Sequence, residues 1–199
     1  MYDRIFWLDD NPNFLEWIQI LGTELDPSFS IAELLRRITW AYDFETGARI
    51  VKERKFDLYI LDGDFPRVLF PGRKGHIDCY IKAAKNGNFP DFRFHDGNHD
   101  PEHKPWEMYS LFYEQCLTPE QRVILFSLSD AAPILPIGRS AFSRGLPFYT
   151  KREKRGETHV RRVIENASGR MIDKVSPEQL ASYECGGKAD LIERYLLSR

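Results

Sequence analysis

Short apolar runs that stop abruptly at polar residues recur along the chain, and segments of helical periodicity separate most of them. Arg4 to Leu8 is the first such run, a predicted buried strand ended by Asp9, Asp10, Asn11 and Pro12. Pro12 suits the first turn of a helix that carries Phe14, Leu15, Trp17, Ile18 and Leu21 toward a core. Asp26-Pro27-Ser28 breaks that pattern, and Ile31 to Ile38 predicts a short helix running into a second strand at Thr39 to Tyr42. Phe44, Ala48, Ile50 and Val51 predict a helix over Phe44 to Lys55, followed by a strand from Asp57 to Leu61. Arg122 to Phe126 and Leu146 to Thr150 read as a fourth and a fifth strand, with a short helix between them at Gly138 to Arg144. Glu157 to Ala167 then places Val160, Val163 and Ile164 on one helical face. Strands alternating with helices predict an α/β fold, a doubly wound five-stranded parallel sheet covered on both faces.

One connection is longer than a crossover needs. Residues 67–119 therefore read as an insertion between the third and fourth strands, with a helix near Ile77 to Lys85, a polar loop from Asn86 to Pro105 and a helix from Trp106 to Cys116. Trp106, Tyr109, Phe112 and Tyr113 share one face of that last helix, suited to core packing or to a partner. Residues 169–199 read as a C-terminal helical extension, with helices near Pro177 to Tyr183 and Ala189 to Leu197. The domain organisation expected is residues 1–168, insertion included, plus that extension.

Composition narrows the class without naming a function. A chain of 199 residues with 42% apolar and 29% charged positions suits one large globular domain with a real core. Its apolar runs are too short to span a bilayer and its first residues carry no signal-peptide pattern, so a cytoplasmic protein without membrane association is expected. Cys79, Cys116 and Cys185 are widely spaced and form no Cys-x-x-Cys, which argues against a disulfide framework or a structural zinc site. A net charge of −2 gives no general attraction to nucleic acid. The basic stretch from Lys151 to Arg162 suits either a solvated start to a helix or a surface for an anionic partner.

The candidate chemistry lies where the predicted strands end. Asp9, Asp10, Asp62, Ser127 and Lys151 all fall at strand carboxyl ends, the place where doubly wound sheets bind ligands. Carboxylate oxygens suit a hard cation such as Mg²⁺, and a lysine can balance phosphoryl charge. In this order the five residues resemble the receiver domain of two-component response regulators. That pattern has an acid pair after strand one, a phosphoacceptor aspartate after strand three, a Ser or Thr after strand four and a lysine after strand five. The resemblance covers residues 1–168 apart from the insertion, and Pro66 also stands where receivers commonly carry proline. It implies that Asp62 is the phosphoacceptor, that Asp9 and Asp10 with Asp62 bind Mg²⁺, that Ser127 senses the phosphoryl group and that Lys151 is its counter-charge. A sensor kinase or another protein would be the partner. Leu128 stands where most receivers have a small residue and Arg152 where proline is usual, so the receiver expected is an atypical one.

Other readings compete. Asp64 serves either as a turn residue or as a second group beside the metal. His95, His99 and His103 lie in one polar loop and offer an alternative metal site, for which Zn²⁺ is the first candidate, although Gly97, Asn98 and Pro101 oppose the helix that would align them. Gly97-Asn98-His99-Asp100 and Gly63-Asp64 resemble motifs of calcineurin-like metallophosphoesterases, whose remaining motifs fail here. Trp7-Leu8-Asp9-Asp10 with Leu61-Asp62-Gly63-Asp64 resembles a receiver-like branch proposed to process cyclic phosphates, but Phe126 stands where that branch has histidine. A degenerate receiver acting only as a phosphorylation-independent protein-interaction module is the non-catalytic alternative.

Overall fold

Strand β1 (Ile5–Leu8) is buried along its whole length, as expected of an uninterrupted apolar run in the interior of a parallel sheet. The computed structural model describes residues 2–90, 105–127, 142, 144–168 and 176–197. Around β1 run α1 (Phe14–Leu25), α2 (Ile31–Arg37), β2 (Ile38–Ala41), α3 (Phe44–Glu53), β3 (Leu58–Leu61), α4 (Pro71–Ala84) and α5 (Pro105–Cys116). There follow β4 (Val123–Ser127), β5 (Phe148–Thr150), α6 (Glu157–Ser168), α7 (Pro177–Ser182), β6 (Cys185–Gly186) and α8 (Lys188–Leu191), which continues into a π-type turn at Ile192–Leu196. All strand pairs are parallel, in the order β2-β1-β3-β4-β5-β6.

The sheet thus has six strands, not the five expected. Strand β6 is only two residues long and pairs Cys185 with Phe148 and Gly186 with Tyr149, too little chain to give an alternation signal in sequence. Helix α4 also begins earlier than its apolar residues suggest, because Pro71 occupies its first turn, where a missing N–H costs nothing. Most of the predicted short helix at Gly138 to Arg144, most of the polar loop and Leu128 lie outside the described residues.

Alternation along the strands divides the core into two layers. Ile5, Trp7, Leu58, Ile60, Ile124, Phe126 and Tyr149 face α1, α2, Tyr80 and Ala84 of α4, and the C-terminal residues Leu191, Ile192, Tyr195 and Leu196. Phe6, Leu8, Tyr59, Leu61, Leu125 and Phe148 face α3, α5 and α6 through Ala48, Phe112 and Val160. The insertion therefore supplies a helix to each face. On α5, Tyr109 and Phe112 are core residues. On α1, Phe14, Leu15, Ile18 and Leu21 are buried as predicted, whereas Trp17 is 54% exposed and lies beneath the Lys188 ammonium. Among the described residues no helix is long and apolar enough to cross a membrane.

Candidate functional site

Backbone hydrogen bonds one residue beyond the strands carry the sheet's register into the site. The Asp9 N–H donates to Ala41 O on β2, Asp62 N–H to Leu8 O on β1, and Lys151 N–H to Ser127 O on β4. With Leu8 level with Leu61 and Ser127 level with Thr150, residues distant in sequence meet at one end of the sheet. Asp9, Asp62, Ser127 and Lys151 are buried there, and Asp10 stands at their margin.

Lys151 is the hub of this group. Its Nζ lies 2.5 Å from Asp9 Oδ2 and 2.9 Å from Asp62 Oδ2, over the rings of Phe14 and Phe126 at 4.9 and 5.5 Å. The remaining carboxylate oxygens accept backbone donors, Asp9 Oδ1 from Asn11 N–H at 3.0 Å and Asp62 Oδ1 from Gly63 N–H at 2.7 Å. The Trp40 indole N–H donates to the Asp9 carbonyl at 2.8 Å.

Charge in this group is unbalanced. Burial pushes both Asp9 and Asp62 above the usual carboxylate range against the pull of Lys151, and Asp10 rises to about 6 for the same reason, opposed by Arg73. Burial lowers Lys151, but Asp62 and Asp9 more than reverse that and hold it charged. One ammonium faces two carboxylates: the cation stays protonated, and burial penalises the charged form of the acids. Asp64, half-buried, adds repulsion to Asp10 and Asp62.

Asp9, Asp10 and Asp62 each bring one carboxylate oxygen to within 4.8 Å of the other two. Oxygens on opposite sides of a hard divalent ion are about 4 Å apart for Mg²⁺ and up to about 5 Å for Ca²⁺, so an all-oxygen set of this size fits such a cation with little movement. Surplus negative charge points the same way. These three acids could hold a metal ion. The alternative ligands His95, His99 and His103 lie outside the described residues.

Sequence reasoning missed one charged member of the site. Arg73, in the first turn of α4, reaches Asp10 Oδ2 through Nη2 at 2.8 Å. The only sequence signal for its helix start is Pro71; nothing in the chain's periodicity says that an insertion will fold back over the acids. A surface groove between Leu35, Ile38, Trp40, Asp78, Ile81 and Lys85 includes none of Asp9, Asp10 and Asp62. Comparison with family models, with curated proteins and with solved structures finds no significant match.

Proposed function

We propose that this chain is an atypical receiver-like signalling protein on a flavodoxin-like sheet, in which Asp62 accepts a phosphoryl group. The observation that carries this reading is the Lys151 ammonium bridging Asp9 and Asp62, acids from the ends of β1 and β3, with Asp10 beside them. A nucleophilic carboxylate must stay ionised and be held still, and the Asp62 oxygens are fixed by Lys151 and by the Gly63 N–H. An Asp62 oxygen would form the new bond to phosphorus while the donor's leaving group departs with its bonding electron pair. Lys151, already in contact, would neutralise charge gathering on the phosphoryl oxygens. Mg²⁺, when held by Asp9, Asp10 and Asp62, would supply further neutralisation of the same oxygens. Ser127, at the end of β4, is the residue through which the sheet would register the modification.

A second reading has its own support. Val68 and Phe70 are 55% and 66% exposed on the segment joining Asp62 to α4, a surface that suits a protein partner whether or not the site is modified. Incubation with acetyl phosphate and Mg²⁺ separates the two. The phosphoacceptor reading expects a mass gain of one phosphoryl group, base-labile and lost in Asp62→Asn. No gain at saturating donor leaves the phosphorylation-independent interaction module.

A further inference from the structure

Arg73 carries an unspent capacity for hydrogen bonding. A guanidinium offers five N–H donors in a planar fork. Arg73 Nη2 meets Asp10 Oδ2, yet its Nε is buried and finds no acceptor among the described residues. The pair is largely shielded, with side chains 23% and 15% exposed. Arg73 also stands on a firm base. Ile77 packs with Tyr42 and Leu69, while Tyr80 and Ala84 enter the main core. The Asp43 carboxylate accepts from Leu69 N–H at 3.0 Å, and Phe44 N–H donates to Pro66 O at 3.0 Å. Helix α4 starts with no side-chain cap and no acid in its first turn, an electropositive end that favours an anion over a cation.

Charge arithmetic gives the arginine two alternative partners. Asp9, Asp10 and Asp62 face two cations, Lys151 and Arg73. A divalent cation on Asp10 would compete with Arg73 for the same carboxylate and would make the group, Asp64 included, two charges more positive. The fork would then be free for the next oxyanion to arrive. We infer that Arg73 is the oxyanion ligand of this site, parked on Asp10 until a divalent cation takes that carboxylate and then binding oxygens of a phosphoryl group. The identity of the anion rests on the phosphoacceptor reading; the exchange of partners rests on the contacts of Arg73 alone.

The two roles have opposite signs, which makes the inference testable on the full chain. Mg²⁺ is titrated calorimetrically, and inorganic phosphate is then titrated at saturating Mg²⁺, into wild type, Arg73→Gln and Arg73→Lys. In Arg73→Gln we expect Mg²⁺ to bind more tightly, by about threefold or more, because a competitor has gone. Phosphate should bind about tenfold more weakly, because a charge-assisted fork has gone. Arg73→Lys should keep wild-type Mg²⁺ affinity and regain part of the phosphate binding. Unchanged phosphate affinity in Arg73→Gln, no phosphate binding by wild type, or parallel weakening of both ligands as a purely structural role requires, would each overturn the inference. Neither titration depends on phosphoryl transfer. If wild type takes no phosphoryl group from acetyl phosphate but loses phosphate binding with Arg73, the phosphoacceptor reading fails and the arginine assignment stands.

Discussion

Asp10 and Lys151 bear opposite burdens within one small group. Asp10 has a folded pKa of about 6 against about 3.9 for an unfolded aspartate, so between these values the native state binds more protons than the unfolded one. Its contribution to stability is therefore greatest at low pH and is lost as pH rises through about 4 to 6. Asp10→Asn removes that loss. We expect the variant to be more stable than wild type at pH 7 without Mg²⁺, by on the order of 1–3 kcal/mol in urea denaturation, and the gap to close below pH 4. Mg²⁺ should stabilise wild type and much less the variant. Lys151 acts in the other direction, since Lys151→Met leaves two buried carboxylates without their shared cation. A loss of about 3–5 kcal/mol is expected at pH 7, part of it recovered by added Mg²⁺. Sequence made these acids and the lysine legible because they stand at the ends of short runs that read as buried strands. Arg73 was not legible, since its role depends on where an insertion folds back, and no local period encodes that.

Element-scale fit decides whether Lys151 is held where it is needed. The chain from Lys151 to Gly156 is fastened to the segment after β6: Lys188 N–H donates to Glu153 O and Ala189 N–H to Lys154 O, both at 2.9 Å. Asp190 accepts from Gly187 N–H at 2.7 Å and Gly156 N–H at 3.3 Å, and pairs with Arg155 at 2.5 Å. These bonds fasten the loop that follows Lys151 to the segment after β6. A Cβ at Gly187 would lie 2.4 Å from Glu153 O and 2.7 Å from Gly156 N, backbone atoms that cannot move without releasing the loop. Gly187→Ala should cost about 2–4 kcal/mol in thermal or urea denaturation. Gly75, inside α4, has nothing within 4 Å of its Cβ position. Gly75→Ala should therefore stabilise by about 0.5–1 kcal/mol through helix propensity alone. The glycine pair at 186–187 was visible in the sequence, but its meaning was not. A two-residue strand has no pattern to read, and the contacts that require glycine come from Glu153 and Gly156, far earlier in the chain.

Across the whole molecule, both ends of the chain build one face of the sheet. Leu191, Ile192, Tyr195 and Leu196 are buried against the layer that includes Leu15 and Ile18 of α1. At about 1.5–3 kcal/mol for each buried side chain, these four contribute about 6–12 kcal/mol, comparable to the entire stability of a typical domain. Deleting residues 185–199 should leave a chain without a cooperative thermal transition and without near-ultraviolet dichroism. Apolar periodicity marks residues 189–197 as helical, but a helix packed on a sheet face and a helix appended to a finished domain read alike in sequence. The aromatic floor of the site has an optical consequence. Trp7 stacks on Trp40 at 5.6 Å and on Phe14 at 5.2 Å, and the Trp40 indole is bonded to the Asp9 carbonyl. Two indoles thus stand within one bond or one ring of the acids and the ammonium. Indole emission shifts with the local field, so a cation arriving at Asp9 and Asp10 should report itself as a saturable fluorescence change, retained in Trp17→Phe and largely lost in Trp40→Phe. The protein carries, in its own core, the dye needed to watch its site fill.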